Sequence, residues 1–182
     1  MGEGGGLLTQ GAYDDAAGAD ADRRRVRSVG PGQMLVTTDP EEVLAAYGLG
    51  SCIAVLGYEP KAGVGGLLHA LLPQSCPGEG DAAKFADTGI RLLVGEMERL
   101  GSDRDATAWY LVGGADVLQG SKTTAGLNIG RGNVAMAESV MREEGMAIRS
   151  REVGGSVART VRLSMRDGTV TVTPVGGDEQ TL

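Results

Sequence analysis

The sequence predicts an α+β sandwich with its helices on the outside. Three observations carry this. Several short β-patterned runs are separated by hairpin-type turns, only two segments sustain helical periodicity, and no long alternation of strand and helix is present to build a doubly wound parallel sheet. A chain of 182 residues suits one domain that buries an adequate core without disulfide or metal staples. Glycine is abundant at 31 residues and aromatics are scarce at 3%, so close backbone approaches are frequent and Ala, Val, Leu and Met must fill the interior.

Residues 1–28 hold Gly, Ala and Asp with few large apolar groups, followed by Asp22-Arg23-Arg24-Arg25. Such a segment buries too little surface to offset chain entropy, so it is expected to be a disordered arm, with the folded domain spanning 29–182. Residues 33–38 read as a strand stopped by Asp39-Pro40, and 43–47 as a second extended piece. Residues 51–57 are apolar and β-branched, the mark of a buried strand. Residues 64–72 form another, interrupted by Gly65-Gly66. The turn between them, Glu59-Pro60-Lys61-Ala62-Gly63, suits a hairpin.

Residues 74–83 read as a loop. Ala86, Ile90, Leu93, Met97 and Leu100 then recur at alternating steps of four and three, which places them on one helical face, with Gly101 as the C-terminal cap. Residues 107–112 are a strand ending at Gly113-Gly114. A second helix is expected over 131–144, with Val134, Ala137, Val140 and Met141 as its apolar stripe and Gly145 as its stop. Strands follow at 147–153, 157–165 and 169–175. Arg166-Asp167-Gly168 joins the last two, and Val161, Leu163, Val170 and Val172 alternate along them, a hairpin pattern.

Lys plus Arg number 17 and Asp plus Glu 24, giving a formal charge of −7. That balance argues against nucleic-acid binding, which needs a basic footprint, and against docking on anionic lipid. No secretory pattern occupies the first 30 residues and no run reaches membrane-spanning length, so a reducing, cytoplasmic setting is expected. Two cysteines, Cys52 and Cys76, are present. A disulfide between them is the alternative to free thiols.

Gly48-Leu49-Gly50-Ser51-Cys52 places two glycines just before a cysteine at the start of a buried strand. Glycine lets the backbone turn sharply and present amide N–H groups, which is what a nucleophile and its oxyanion site require. The bland alternative is a cysteine packing as a small hydrophobe. His69, the only histidine, lies on the next apolar strand, 17 residues on. Hairpin partners place side chains roughly 5 Å apart, near enough for an imidazole to take a thiol proton and later protonate a leaving amine. Cys52, His69, Cys76 and Asp81 form a poor zinc set, with one histidine and no Cys-x-x-Cys pair. Gly48-Leu49-Gly50 lacks the third glycine of a dinucleotide fingerprint, since Ile53 holds that place, and no glycine pair ends in a P-loop Lys-Ser/Thr.

Gly48-Leu49-Gly50-Ser51-Cys52 and Gly66-Leu67-Leu68-His69-Ala70-Leu71-Leu72-Pro73 closely resemble the CheD family of chemoreceptor glutamine deamidases. Lys84-Phe85-Ala86-Asp87-Thr88, Gly113-Gly114-Ala115, Asn128-Ile129-Gly130-Arg131-Gly132-Asn133, Val153-Gly154-Gly155-Ser156-Val157-Ala158-Arg159 and Gly176-Gly177-Asp178-Glu179 follow in matching order, so the resemblance spans about residues 30 to 180.

The resemblance implies an α/β/β/α-type sandwich of mostly antiparallel strands with two main outer helices. It implies a protein-glutamine glutaminase that needs no cofactor or metal and converts selected glutamines of methyl-accepting chemotaxis receptors to glutamate, releasing ammonia. It also implies a CheC-type phosphatase as partner and a cytoplasmic protein recruited to receptor arrays. The family nucleophile falls on Cys52 and the family histidine on His69, with Gly50 and Ser51 as backbone support for the oxyanion. The family's third catalytic position, a threonine, falls on Ala46, which has no hydroxyl. A third group ordinarily fixes the imidazole tautomer, so here a backbone carbonyl, Ser51 or water has to stand in. The alternative is a weakly active or non-catalytic adaptor that binds a phosphatase or the receptor. Cys76 lies outside the family pattern.

Overall fold

The computed structural model describes residues 25–76, 78, 80–117 and 129–182. Among them are ten strands: β1 (Arg25–Ser28), β2 (Gln33–Thr37), β3 (Glu42–Leu49), β4 (Ile53–Glu59), β5 (Val64–Ala70), β6 (Ala108–Gly113), β7 (Ile148–Val153), β8 (Arg159–Ser164), β9 (Val170–Pro174) and β10 (Gln180–Thr181). Two helices accompany them, α1 (Ala86–Arg99) and α2 (Ile129–Glu143). The strands form two five-stranded sheets, ordered β1-β3-β8-β9-β10 and β2-β5-β4-β6-β7. Pairing is antiparallel except for β1 with β3 and β6 with β7.

Side chains alternate across a strand, and the alternation sorts the interior into two layers. Ile53, Val55, Leu68, Ala70, Trp109 and Leu111 face the helices, meeting Ile90, Leu93 and Met97 of α1 and Ala137, Val140 and Met141 of α2. Ala54, Leu56, Leu67, Tyr110 and Val112 face the other way, against Leu44, Ala46, Leu49, Val161, Leu163, Val170 and Val172 of the second sheet. Strands β4 and β5 are covered on both faces, which is why they read as unbroken apolar runs rather than alternating ones.

The α+β class and the two-sheet sandwich match expectation. The two helices lie outside the strands as expected, and among the described residues both pack on the β2-β5-β4-β6-β7 sheet. The outward positions of β8 and β9 explain this: Thr160, Arg162, Thr171 and Thr173 are polar and need no cover.

The domain boundary moves. The expected arm ran to residue 28, but Arg25–Ser28 is strand β1, paired in parallel with residues 42–45 of β3. Arg27 gives its guanidinium to the carboxylate of the buried Glu42 over 2.7 Å, an ionic tie that composition alone does not signal. Residues 1–24, with the rest of that expectation, lie outside the described residues, as do 77, 79 and 118–128. No helix among the described residues is long and apolar enough to cross a membrane.

Candidate functional site

The site is built where the chain passes from one sheet to the other. Strand β3 ends at Leu49 and β4 begins at Ile53, so Gly50-Ser51-Cys52 bridges the two sheets. The β3–β8 register shifts between Ala46 and Leu49, and Gly48 sits there at φ 65°, a left-handed conformation that glycine adopts without strain. The carbonyl oxygens of the bridge are then held one by one. Gly50 accepts from the Ala115 N–H at 2.7 Å, Ser51 from the Asn133 side-chain amide at 2.8 Å, and Cys52 from the Gly114 N–H at 2.8 Å. Gly113, at φ 114°, must be glycine, because a Cβ there would overlap the Cys52 carbonyl.

His69 lies on β5, with Ala54 of β4 directly opposite on one side and Gln33 of β2 on the other. The β5 alternation points its ring to the inter-sheet side together with Leu67. Cys52 precedes Ala54 by two residues and packs against the same inter-sheet cluster. Cys52 stands just outside the ladder, one residue before its last rung at Ile53 and Ala70, and both groups border the inter-sheet interior. The relation differs from the directly opposed pair expected of a hairpin, because the β4–β5 register sets Ala54, two residues after the cysteine, opposite His69.

The imidazole is 1% exposed. Its Nδ1 lies 3.1 Å from the main-chain carbonyl of Val29, and its Nε2 is buried with no hydrogen-bond partner among the described residues. A carbonyl only accepts, so Nδ1 carries the proton and Nε2 keeps its lone pair. Burial pushes the His69 pKa down from its ordinary value, with the Val29 carbonyl opposing. Burial likewise pushes the half-buried Cys52 thiol up, with its own backbone N–H opposing. Both shifts act in one sense, favouring the neutral thiol and the neutral imidazole over their charged forms.

Ala46 is wholly buried on β3, opposite Val161 of β8, and contributes only packing to the sandwich interior. Of the three stand-ins open for its missing hydroxyl, a backbone carbonyl is the one found on Nδ1, supplied by Val29. No disulfide joins Cys52 and Cys76, and Cys76 is exposed on the loop that follows β5. Among the described residues, no three His, Cys, Asp or Glu side chains gather to hold a metal.

Two contributors escape a reading of the sequence for chemistry. Val29 acts through its backbone, which leaves no mark in the residue type. Asn133 is fully buried and donates to both Ser51 and Leu71, at 2.8 and 2.9 Å. Its signal is a polar residue on the buried stripe of α2 that holds Gly130, Ala137, Val140 and Met141.

Residues 71–174 match the family described as CheD, chemotactic sensory transduction. The chain is 33% identical over 162 residues to a Symbiobacterium thermophilum protein named probable chemoreceptor glutamine deamidase CheD, covering 87% of this chain and 98% of that one. It is 39% identical over 137 residues to an Archaeoglobus fulgidus protein of the same name, covering 75% and 87%. A Thermotoga maritima protein named chemoreceptor glutamine deamidase CheD is 33% identical over 152 residues, covering 84% and 94%.

Proposed function

Because the chain belongs to the CheD family, we propose that it hydrolyses the side-chain amide of selected chemoreceptor glutamines, with Cys52 as nucleophile and His69 as general base and acid. One observation supports this assignment above the rest. Cys52 and His69 border the same inter-sheet interior at the end of the β4–β5 ladder, and the imidazole keeps a buried Nε2 without a partner among the described residues while its Nδ1–H is committed to Val29.

In this mechanism Nε2 of His69 takes the Cys52 proton as the sulfur attacks the amide carbon. Burial biases both groups toward their neutral forms, so in this mechanism proton transfer accompanies attack. The tetrahedral oxyanion is received by backbone N–H groups of Gly50, Ser51 and Cys52, in a segment whose carbonyls are already pinned. The His69 imidazolium then protonates the departing nitrogen, and ammonia leaves behind a thioester. Nε2 deprotonates a water, which attacks the thioester carbon, and Cys52 departs with the proton. One amide and one water become one carboxylic acid and one ammonia. The Val29 carbonyl holds the ring through both halves, the part a threonine hydroxyl takes elsewhere in the family.

The reading of an inactive adaptor drew on the missing hydroxyl at Ala46, and the Val29 carbonyl removes that motive. A CheC-type phosphatase as partner and recruitment to cytoplasmic receptor arrays belong to the same proposal and rest on the family resemblance. The deciding experiment incubates the chain with a chemoreceptor cytoplasmic fragment. Each modified glutamine gains about 1 Da, with ammonia released in equal amount, as amide-to-acid exchange requires. Cys52→Ala and His69→Ala should give neither. Equal release by wild type and Cys52→Ala would end the proposal.

A further inference from the structure

We infer that Asn133 is a positioning residue that sets Cys52 against His69, an inference that rests on the proposed roles of those two residues. Its side-chain amide donates one N–H to the carbonyl of Ser51, the residue before the nucleophile, and the other to the carbonyl of Leu71, two residues after the base. The β4–β5 ladder closes at Ile53 and Ala70. Beyond that rung the two chains part. Leu71 and Leu72 give their N–H groups to Lys84, whereas Gly50 and Cys52 receive theirs from Ala115 and Gly114. The Asn133 amide bridges this fork, and the fork is where the sulfur sits.

Packing alone does not select asparagine here. The residue is wholly buried, and its Oδ1 has no partner among the described residues. A buried acceptor left unpaired opposes folding. An apolar side chain of similar volume would remove that penalty but would leave both carbonyls unpaired and the fork unbridged. The depth of the amide is also fixed. A Cβ at Gly130 would lie 2.8 Å from the Gly114 carbonyl oxygen, so only glycine lets α2 come this close to the segment that holds Cys52.

The test uses the full chain with Asn133→Ala, Asn133→Ser and His69→Ala. Two readings are taken: steady-state deamidation of the receptor fragment, and the pH dependence of iodoacetamide alkylation at Cys52, resolved from Cys76 by peptide mass mapping. Asn133→Ala should lower kcat about tenfold or more with little change in KM, the scale expected of a small misplacement. It should also move the Cys52 alkylation profile toward that of His69→Ala. Asn133→Ser, which keeps one donor, should recover part of both, and it decides the matter should the alanine variant not fold. Wild-type kcat and a wild-type alkylation profile in a folded variant, whatever its thermal stability, would overturn the inference. If the wild-type chain forms no glutamate yet Asn133→Ala and His69→Ala shift the alkylation profile alike, the deamidase reading falls while the positioning role stands.

Discussion

Nδ1 of His69 donates to the carbonyl of Val29 over 3.1 Å, and the Val29 N–H donates onward to the carbonyl of Ala45 over 2.8 Å. The imidazole is thereby tied, through a single residue, to strand β3 and to the parallel pairing of β1 that ends at Ser28 opposite Ala45. A chain beginning at Arg25 retains that whole frame, whereas one beginning at Val29 turns the key residue into a free amine with no strand behind it. The first should keep wild-type kcat. The second should lose about tenfold or more in kcat through a loosened ring, measured by receptor deamidation on folded protein. Equal rates would show that Val29 is held without β1.

Ala46→Thr restores the family hydroxyl but places it in a position with no exposed surface. Added volume in a packed core costs about 1–3 kcal/mol, which corresponds to about 2–4 °C of melting temperature per kcal/mol in a chain of this size. Nδ1 already has its acceptor, so kcat should be unchanged or modestly raised while the melting temperature falls. Thermal denaturation and steady-state kinetics on one preparation check both halves. A large loss of kcat in folded protein would mean that Ala46 guards the ring by its smallness.

Acid should disable the enzyme later than a solvent-exposed histidine would allow. Protonated Nε2 cannot take the thiol proton, and burial resists that protonation, so the acid limb of kcat/KM should lie below the ordinary histidine value. The limb belongs to the coupled pair rather than to either residue alone. In His69→Ala, alkylation of Cys52 should rise only above the ordinary cysteine range, because burial alone then governs the thiol. The stability sign follows from the same shifts. His69 contributes fully above its unfolded pKa and loses that contribution as pH falls through the lowered folded value. Cys52 contributes fully below its unfolded pKa and loses it as pH rises through the raised one. An acid limb above the ordinary histidine value would contradict the buried neutral ring.

Much of this was legible in the residues. Strands β4 and β5, the hairpin at Asp167-Gly168 and the apolar stripes of both helices follow from local periodicity, and the structure places them within a few residues of expectation. Cys52 and His69 could be picked out because both chemistry and spacing marked them. Strand β1 was missed because its four residues are all exposed and its order comes from pairing with a distant strand. The Val29 carbonyl was missed because any residue carries one. Both helices lie on one sheet because the opposite sheet turns threonine and arginine outward, a consequence of strand pairing that no local window contains.

Gly57 and Trp109 face each other across the β4–β6 ladder, and the indole of Trp109 lies over the glycine where a side chain would otherwise project. A Cβ at Gly57 would come 2.5 Å from Trp109 Cζ3 and 2.9 Å from Met97 Sδ. The ring has little room to yield: it is 1% exposed, and its Nε1 donates to the Arg104 carbonyl over 3.3 Å. Gly57→Ala should therefore destabilise by about 1–3 kcal/mol through overpacking. Gly95 offers the opposite case. It lies on the exposed face of α1 with open space where its Cβ would be, so Gly95→Ala should stabilise by about 0.5–1 kcal/mol through helix propensity. Trp109 is the only tryptophan, so its fluorescence reports the relevant core directly in urea titrations. The midpoints should move in opposite directions with unchanged slope, the sign of altered stability without altered unfolding surface. An unshifted midpoint for Gly57→Ala would mean that the indole can move aside, and that close packing against β4 is not what makes position 57 glycine.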